Sequence, residues 1–232
     1  MLNTSKSTPQ IIMMIGVPSS GKSYFVTKYV KGHLCKKYIA LSYDDEIENF
    51  ARDHPELGLV EPSEVGKGRV RYNDVQSNAE YDKLVEERFY TRLEEELKAG
   101  HNIIVDRTGA SRKRRAKILS RVPDNYKRIA FVMDTPLTVI RERWKQDSKG
   151  VPAWAVRKKF EELGAEPVTK AEGFDDIRFI HLSLPALLNP IRSSKDAKRF
   201  IRGDIAEAHP EWYDSSPLDE LIEEDRKRGR RF

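Results

Sequence analysis

The sequence predicts an α/β fold in which a parallel, five-stranded sheet is covered by helices on both faces. Short apolar runs recur along the chain, and strands that are buried on both faces have this continuous apolar character. The runs occupy residues 11–15, 37–41, 102–106, 128–134 and 177–182. Polar-rich segments of helical length separate them, and alternation of strand and helix is typical of a parallel sheet.

The clearest predicted helix lies between the second and third of these strands. In residues 78–100, apolar side chains recur at intervals of three and four residues, and Gly100 is suited to end the helix. The apolar side chains are Tyr81, Leu84, Val85, Phe89, Leu93 and Leu97. The pattern predicts one helix that packs a single face against the rest of the protein.

Two segments interrupt the alternation. Residues 54–77 contain Pro and Gly together with Arg69 and Arg71, and a loop of this length in a compact domain is usually functional or mobile. Beyond about residue 185 the strand pattern stops and two short helices are expected. We therefore predict a domain over residues 1–184 and, over residues 185–232, a helical cap or arm rather than further sheet.

The composition argues against a membrane protein. No apolar run approaches the roughly 18 residues that would cross a bilayer. Residues 1–10 are polar and lack the apolar centre of a signal peptide. The single cysteine, Cys35, excludes an internal disulfide and a cysteine-based metal site. We therefore expect a cytoplasmic protein, in the host cytoplasm if a phage encodes it.

The net positive charge is small, but the basic residues are clustered along the sequence. The 42 Lys and Arg residues only slightly outnumber the 37 Asp and Glu residues. Residues 111–121 nevertheless carry six basic side chains, and residues 226–231 carry five. Solvated helix faces and polar tails explain such runs in many proteins. In a chain with a separate reason to bind phosphates, they favour a polyanionic partner.

That reason is the segment GVPSSGKS, residues 16–23, which we call the phosphate loop. It matches the pattern Gly-x4-Gly-Lys-Ser, in which glycines let successive N–H groups turn inward around a β-phosphate. Lys22 is expected to bridge the β- and γ-phosphates, and the Ser23 hydroxyl to bind Mg²⁺. The other predicted nucleotide-binding residues of the loop are Gly16, Ser19, Ser20 and Gly21. A glycine turn with an incidental lysine is the alternative, but an apolar strand precedes this loop and an amphipathic segment follows it.

Carboxylates follow two of the predicted strands, at the edge where open α/β sheets bind ligands. Asp44 or Asp45 could accept the proton of a hydroxyl that attacks phosphorus, while the other caps the next helix. Asp106 ends the third strand and is expected near Mg²⁺, although a helix cap would also use an Asp there. Residues 106–109 match the GTPase pattern Asp-x-x-Gly as well, which we discount because the chain has no guanine-reading Asn-Lys-x-Asp motif.

Residues 136–160, after the fourth strand, form a basic segment with a Gly-Val-Pro break. A hinged basic segment in this place can close over the nucleotide, exclude water and neutralise charge on the transferring phosphoryl group. A helix whose charges only promote solubility is the alternative. We expect Arg143 to act in catalysis and Arg141 and Lys149 to bind the nucleotide.

In this order, the elements resemble a P-loop kinase of the polynucleotide kinase type, within the P-loop NTPase fold. The resemblance covers roughly residues 11–182, and its motifs are GVPSSGKS, YDD, IIVDRTGASRKRR, the basic segment and FEELGAEPVTKAEGFDDI. It implies transfer of the γ-phosphate of ATP, with Mg²⁺, to an alcohol. By the same resemblance Asp44 takes the general-base role, Lys22 and Ser23 the loop roles, and Asp106 the metal-binding Asp-x-Thr position. One of Arg141, Arg143 and Lys149 is the lid cation.

The implied partner is nucleic acid, DNA more readily than RNA. The residues expected to bind it are Asp45, Arg69, Arg71, Thr108, Arg112 and Arg115. Bacteriophage members of the family carry an Arg three residues after the catalytic Asp to hold the substrate phosphate, and here that position is Ile47. The acceptor therefore stays open between a 5′-hydroxyl and the hydroxymethyl group of 5-hydroxymethyluracil within DNA, which a related group of phage enzymes phosphorylates.

Two further classes remain. A P-loop kinase for a nucleoside, a sugar or another small molecule would use the same loop and the same Asp. A nucleic-acid-binding module in which ATP serves only as a switch would have no use for Asp44, because a switch needs no hydroxyl base.

Overall fold

The computed structural model of the chain describes residues 8–27, 38–63, 66, 68–146, 151–181 and 201–203. Eight strands lie within these residues: β1 Gln10–Ile15, β2 Tyr38–Ser42, β3 Val60–Glu61, β4 Arg69–Val70, β5 Asn102–Asp106, β6 Lys127–Asp134, β7 Asp176–His181 and β8 Ile201–Gly203. The α-helices are α1 Lys22–Phe25, α2 Tyr43–Asp53, α3 Tyr72–Ser77, α4 Ala79–Lys98, α5 Arg112–Leu119, α6 Leu137–Lys145 and α7 Ala153–Ala165.

Five strands form a parallel sheet in the order β2-β5-β1-β6-β7, which confirms the predicted fold class. A sixth strand, β8, pairs antiparallel with β7 at the edge of this sheet. Residues 201–203 come from the segment that was expected to form only helices. That expectation is wrong for these three residues, and the other residues of 185–232 lie outside the described part of the chain.

The sheet has two buried faces because its central strand is apolar throughout. Alternate residues of β1 point to opposite faces, and all from Ile11 to Ile15 are buried. Ile11, Met13 and Ile15 pack in one cluster with residues of α2 and α4, whereas Ile12 and Met14 pack in a second cluster with Phe25 of α1. Helices therefore cover both faces, as parallel sheets require.

Helix α4 lies close to the predicted position. It begins after Asn78, whose side-chain oxygen accepts hydrogen bonds from the N–H groups of Glu80 (3.0 Å) and Tyr81 (3.3 Å). Most of the predicted apolar face is buried, but Leu84 is 41% exposed and lies beside that face rather than on it. The buried residues of α4 are Val85, Phe89, Tyr90, Leu93 and Leu97.

Residues 54–77 are not an irregular loop, so that expectation is corrected. They contain a 3-10 turn at Pro55–Leu57, a two-stranded hairpin of β3 and β4, and helix α3. The hydroxyl of Tyr72, the first residue of α3, donates a hydrogen bond to Glu48 of α2. The described residues of segment 54–77 thus form a small unit that packs beside the middle of α2.

No helix in the described residues combines the length and the apolar character that a bilayer crossing would require.

Candidate active site

Three adjacent strands, β2, β5 and β1, bring the predicted site residues to one edge of the sheet. Asp106, the last residue of β5, pairs with Met14 of β1 on one side and with Ser42 of β2 on the other. The phosphate loop starts two residues after Met14, and Asp44 lies two residues after Ser42. The loop and both carboxylates therefore emerge side by side at the carboxyl ends of neighbouring parallel strands, where ligands of such sheets bind.

The phosphate loop requires glycine at its first position. A side-chain carbon at Gly16 would lie 2.8 Å from Met133 Cβ and 2.8 Å from Ser20 Oγ, which is closer than atoms can approach without a shift. The Gly16 N–H donates a hydrogen bond to the carbonyl of Thr108, 3.0 Å away. Gly21 has φ of 96°, and Ser19 has φ of 61°, so the loop also turns through left-handed backbone conformations.

The side chains of the loop are arranged to meet an anion. Lys22 Nζ donates hydrogen bonds to the carbonyls of Gly16 (3.0 Å) and Val17 (2.8 Å), so the lysine folds back across its own loop. Ser19 Oγ and Ser20 Oγ are buried and have no hydrogen-bond partner among the residues that the structure describes. Buried hydroxyls in this state fit a site that receives a phosphate. Ser23, expected to bind Mg²⁺, is exposed at the start of α1.

Two residues that follow the fourth parallel strand in the chain form hydrogen bonds with carbonyls of the phosphate loop. Thr135 Oγ1 donates to the Ser20 carbonyl at 2.9 Å, and Arg143 of α6 donates to the same carbonyl at 2.8 Å. Arg143 also reaches the Ser19 carbonyl at 3.4 Å. Burial lowers the pKa of Arg143. The sequence indicated Arg143 as a cation above the nucleotide, whereas the structure places its guanidinium against loop carbonyls; Thr135 was not foreseen.

Helices α6 and α7, which come from the segment expected to form a lid, pack against the loop through an apolar cluster. Val17 of the loop is buried together with Ile140 and Trp144 of α6 and Val156 and Phe160 of α7. A pocket lies beside this cluster, lined by Val17, Met133, Asp134, Thr135, Ile140 and Phe160 among others. Arg141 is half-buried on α6, and Lys149 lies outside the described residues.

The two Asp residues that follow β2 both lie in the first turn of α2. Ser42, not either Asp, is the N-cap, because its hydroxyl accepts a hydrogen bond from the Asp45 N–H at 3.3 Å. The expected division of labour, in which one Asp caps the helix, is therefore corrected. Asp44 is half-buried and Asp45 is exposed. Asp44 is thus the carboxylate that lies nearer the interior of the site.

Segment 54–77 stands close to these carboxylates. Burial, the hydrogen bond to Glu48 and the negative charges of Glu48, Asp44 and Asp45 together raise the pKa of the Tyr72 phenol. Tyr72 therefore lies within electrostatic reach of both Asp residues. Sequence reasoning placed only the basic residues of this segment near the site and did not identify Tyr72.

Asp106 and Ser23 fit the donor set that Mg²⁺ uses. Asp106 is 9% exposed at the strand end, and Ser23 offers an exposed hydroxyl. The described residues contain no group of three or more His, Cys, Asp or Glu that could enclose a metal. Mg²⁺ in nucleotide sites usually keeps several waters and binds one or two protein oxygens together with phosphates, so a Ser and an Asp suffice.

The residues next to the two carboxylates contact each other. Arg107, which follows Asp106, places its guanidinium carbon 3.9 Å from the ring centroid of Tyr43, which precedes Asp44. The Tyr43 hydroxyl donates to Asp82 Oδ1 at 2.8 Å, and burial followed by this hydrogen bond raises its pKa. Sequence analysis missed both residues, since an Arg or Tyr beside a strand end carries no recognisable pattern.

Three of the predicted acceptor-binding arginines, Arg69, Arg71 and Arg112, are exposed. Arg71 also pairs with Glu61 (3.4 Å) and Asp74 (3.7 Å) within its own segment. Thr108 is half-buried, and its carbonyl bonds Gly16 as described above.

Arg115 does not face solvent, and its predicted role as an acceptor-binding residue is corrected. Its side chain is 0% exposed and all five of its N–H groups are used. Three bond the carbonyls of Gly109 (3.1 Å), Ala110 (2.8 Å) and Glu166 (2.8 Å). The other two bond the Glu172 carboxylate at 2.6 and 3.0 Å. An arginine with every donor engaged in the interior cannot bind a substrate.

The basic run 111–121 is therefore less available than its sequence indicates. Lys117 pairs with Glu86 at 2.5 Å and Arg121 with Glu94 at 3.2 Å, both on α4. Three exposed residues remain at the start of α5: Arg112, Lys113 and Arg114. In the described part of the chain, none of these three side chains forms an ion pair.

Ile47 lies in the hydrophobic core. Its side chain is 0% exposed and packs in the cluster that joins α2 and α4 to the sheet. The side chain at position 47 therefore points into the core rather than towards the site.

Comparisons with known proteins bear on the family and the fold of the chain. Residues 11–163 match the family model AAA_33, described as an AAA domain. A sequence comparison with curated proteins finds no significant match. Among solved structures, a chain of the Pnkp1/Rnl/Hen1 RNA repair complex matches 75% of this chain at 19% identity, with a TM-score of 0.52. This chain spans 48% of the length of that one.

Further solved structures match with TM-scores below 0.5. For a sugar kinase from Janibacter sp. HTCC2649, the match covers 93% of this chain and 91% of the sugar-kinase chain at 15% identity, with a TM-score of 0.46. For a chain of the AvrRxo1-ORF1:AvrRxo1-ORF2 complex, the match covers 76% of this chain and 55% of that chain at 17% identity, with a TM-score of 0.49. The matched residues, 11–163, include the phosphate loop, Asp44, Asp106, α6 and most of α7, and the chain belongs to this AAA_33 family.

Proposed function

We propose that the protein is an ATP-dependent kinase that transfers the γ-phosphate to a hydroxyl on nucleic acid. The observation that carries the kinase chemistry is the strand register that brings Asp106 between Met14 and Ser42. This register brings the phosphate loop, the Asp106 carboxylate and the segment that carries Asp44 to one sheet edge, which supports the proposal. Phosphoryl transfer needs positioning and charge neutralisation above all, and these groups provide both.

The chemistry divides among the residues of this edge. Asp44 accepts the proton of the acceptor hydroxyl as its oxygen attacks the γ-phosphorus, and ADP leaves with the electrons of the broken P–O bond. Lys22 leaves the loop carbonyls to contact the phosphates, while Arg143 and Thr135 keep the loop in shape. Ser23 and Asp106 would hold Mg²⁺, which would offset phosphate charge during transfer.

Nucleic acid as the acceptor rests on exposed cations that follow β5, none of which forms an ion pair with another described residue. Helix α5 begins six residues after Asp106, and Arg112, Lys113 and Arg114 are exposed in its first turn. The loop before α5 is itself bonded to the phosphate loop through Thr108 and Gly16. Cations in this place can contact the backbone phosphates of an acceptor strand. DNA is the preferred form of the proposal, with RNA as an outcome of its test.

The test is transfer of label from γ-labelled ATP to three acceptors in parallel. These are a 5′-hydroxyl oligonucleotide, a nick-free circular DNA that contains 5-hydroxymethyluracil, and free nucleosides. The Lys22→Ala variant is the control, because it removes the phosphate contact and keeps the loop backbone. Label on the oligonucleotide supports the proposal, and label only on nucleosides refutes a nucleic-acid acceptor.

The circular DNA addresses the second candidate, phosphorylation of a modified base. Ile47 favours it, since a core side chain cannot hold a terminal phosphate where phage kinases of this type use an Arg. An enzyme that acts on a base within a duplex must flip that base out and does not depend on strand ends. Absence of label on the circle, with efficient labelling of the linear strand, would exclude this candidate.

A further inference from the structure

The contact between Tyr43 and Arg107 links the chain segments that carry the two carboxylates. Tyr43 immediately precedes Asp44, and Arg107 immediately follows Asp106. The guanidinium carbon of Arg107 lies 3.9 Å from the centroid of the Tyr43 ring, so the two planar groups are in direct contact. Nothing in the proposed chemistry uses either side chain.

The strand ladder alone cannot position Asp44. The ladder fixes Asp106 opposite Ser42, which is the last residue of β2. Asp44 lies beyond the end of that ladder, in the first turn of α2, so its place relative to Asp106 depends on how this turn is held. A shift of about 1 Å between reacting groups can lower turnover by about 10²-fold.

Tyr43 is held on three sides. Its hydroxyl donates to Asp82 at 2.8 Å, the Phe89 ring meets it edge-on at a centroid distance of 5.7 Å, and Arg107 covers one face. The side chain is only 5% exposed. The first turn of α2 is thereby attached both to helix α4 and to the residue after Asp106.

Arg107 is itself anchored. Its N–H groups donate to Glu86 Oε1 at 3.3 and 3.4 Å and to the Tyr90 hydroxyl at 3.4 Å. The side chain is 8% exposed, and a second ring, Phe89, lies 5.6 Å from its guanidinium carbon. A planar guanidinium can stack and donate at the same time, whereas a lysine ammonium presents no flat face to a ring.

We propose that Arg107 and Tyr43 form a brace that positions the Asp44 carboxylate against Asp106 for phosphoryl transfer. Both are positioning residues, since their burial and their engaged partners keep them from the substrate. The inference rests on the proposed function in one respect, the general-base role of Asp44. The geometry of the brace stands without it.

The experiment compares Arg107→Met with a matched control, Arg128→Met. Arg128 is a half-buried arginine, less buried than Arg107, and lies at the amino end of β6, opposite the site. Its guanidinium donates to the Val122 carbonyl at 2.8 Å and to Asp124 at 3.1 Å. For each variant, turnover at saturating ATP, KM for ATP and amide hydrogen exchange over residues 43–46 are measured. Arg107→Met is expected to lower turnover by about tenfold to 10²-fold, to change KM for ATP by less than about twofold, and to speed exchange in the first turn of α2.

Arg128→Met is expected to leave turnover and this exchange at parent values. Tyr43→Phe, which keeps the ring face, should retain more turnover than Tyr43→Leu, which removes it. Unchanged turnover in Arg107→Met, or unchanged exchange over residues 43–46, overturns the brace. If the parent labels no nucleic acid, the proposed function fails, whereas the exchange measurement still decides for or against the brace.

Discussion

Replacement of Arg115 by methionine tests whether this arginine is a buried structural residue, as the structure shows, or a substrate-binding residue, as the sequence predicted. Methionine keeps the apolar stem and removes five donors, which leaves the Glu172 carboxylate, 6% exposed, with only the Thr169 N–H at 3.0 Å. Removal of one partner from a buried ion pair costs about 3–5 kcal/mol. The three carbonyls that lose their Arg115 donor add to this energetic cost wherever water cannot reach them. Because whole domains are stable by about 5–15 kcal/mol, Arg115→Met should lose a large part of the free energy of unfolding.

The assay is urea unfolding followed by circular dichroism. The matched control is Arg114→Met, a neighbour in the same helix whose exposed side chain makes its loss worth less than about 0.5 kcal/mol. A double variant, Arg115→Met with Glu172→Gln, removes the stranded charge and should recover about 2 kcal/mol. If Arg115→Met instead unfolds at the same urea concentration as the parent protein and raises KM for the acceptor, Arg115 is a substrate-binding residue and the structural assignment is refuted.

The remaining predictions concern the site itself. Lys22→Ala should abolish transfer without a change in the unfolding midpoint, and near-parent turnover would refute the loop assignment. Asp44→Asn should lower turnover by about 10²-fold or more with little change in ATP affinity, measured by steady-state kinetics. If only Asp45→Asn loses turnover, Asp45 rather than Asp44 is the general base. Gly16→Ala should weaken ATP binding by about tenfold or more in a direct titration, because its new carbon meets two side chains, whereas Gly164→Ala, with open space around it, should bind normally.

The fold was predictable from the sequence because a few strong signals determine it. A strand that is buried on both faces must be apolar throughout, and five such runs specified the parallel sheet. The phosphate loop was predictable for a similar reason, since Gly16 has no space for a side chain. In both cases a constraint on a short stretch of the chain limits which residue types can occupy it, so the sequence shows it directly.

Features that depend on contacts distant in sequence were not predictable. Whether Arg115 or Arg114 faces solvent depends on Glu172, more than fifty residues away. The six basic residues within 111–121 look alike in the sequence until the helix is packed. Strand β8 was missed because three residues at a sheet edge carry no periodic pattern. The unit formed by residues 54–77 was missed because its hairpin has only two residues in each strand.

The buried position of Ile47 changes how acceptor recognition should be understood. In bacteriophage members of the resembled family an Arg at this position holds the substrate phosphate, but here the side chain at position 47 packs into the core, so no single substitution at this position would restore that contact. Under the proposed function, recognition of the acceptor by charge then comes from elements that flank α2. The exposed candidates that form no ion pair among the described residues are Arg112, Lys113 and Arg114 of α5 and Arg69 of the hairpin. They lie on elements other than α2, which suits an acceptor held along its backbone rather than by one terminal phosphate.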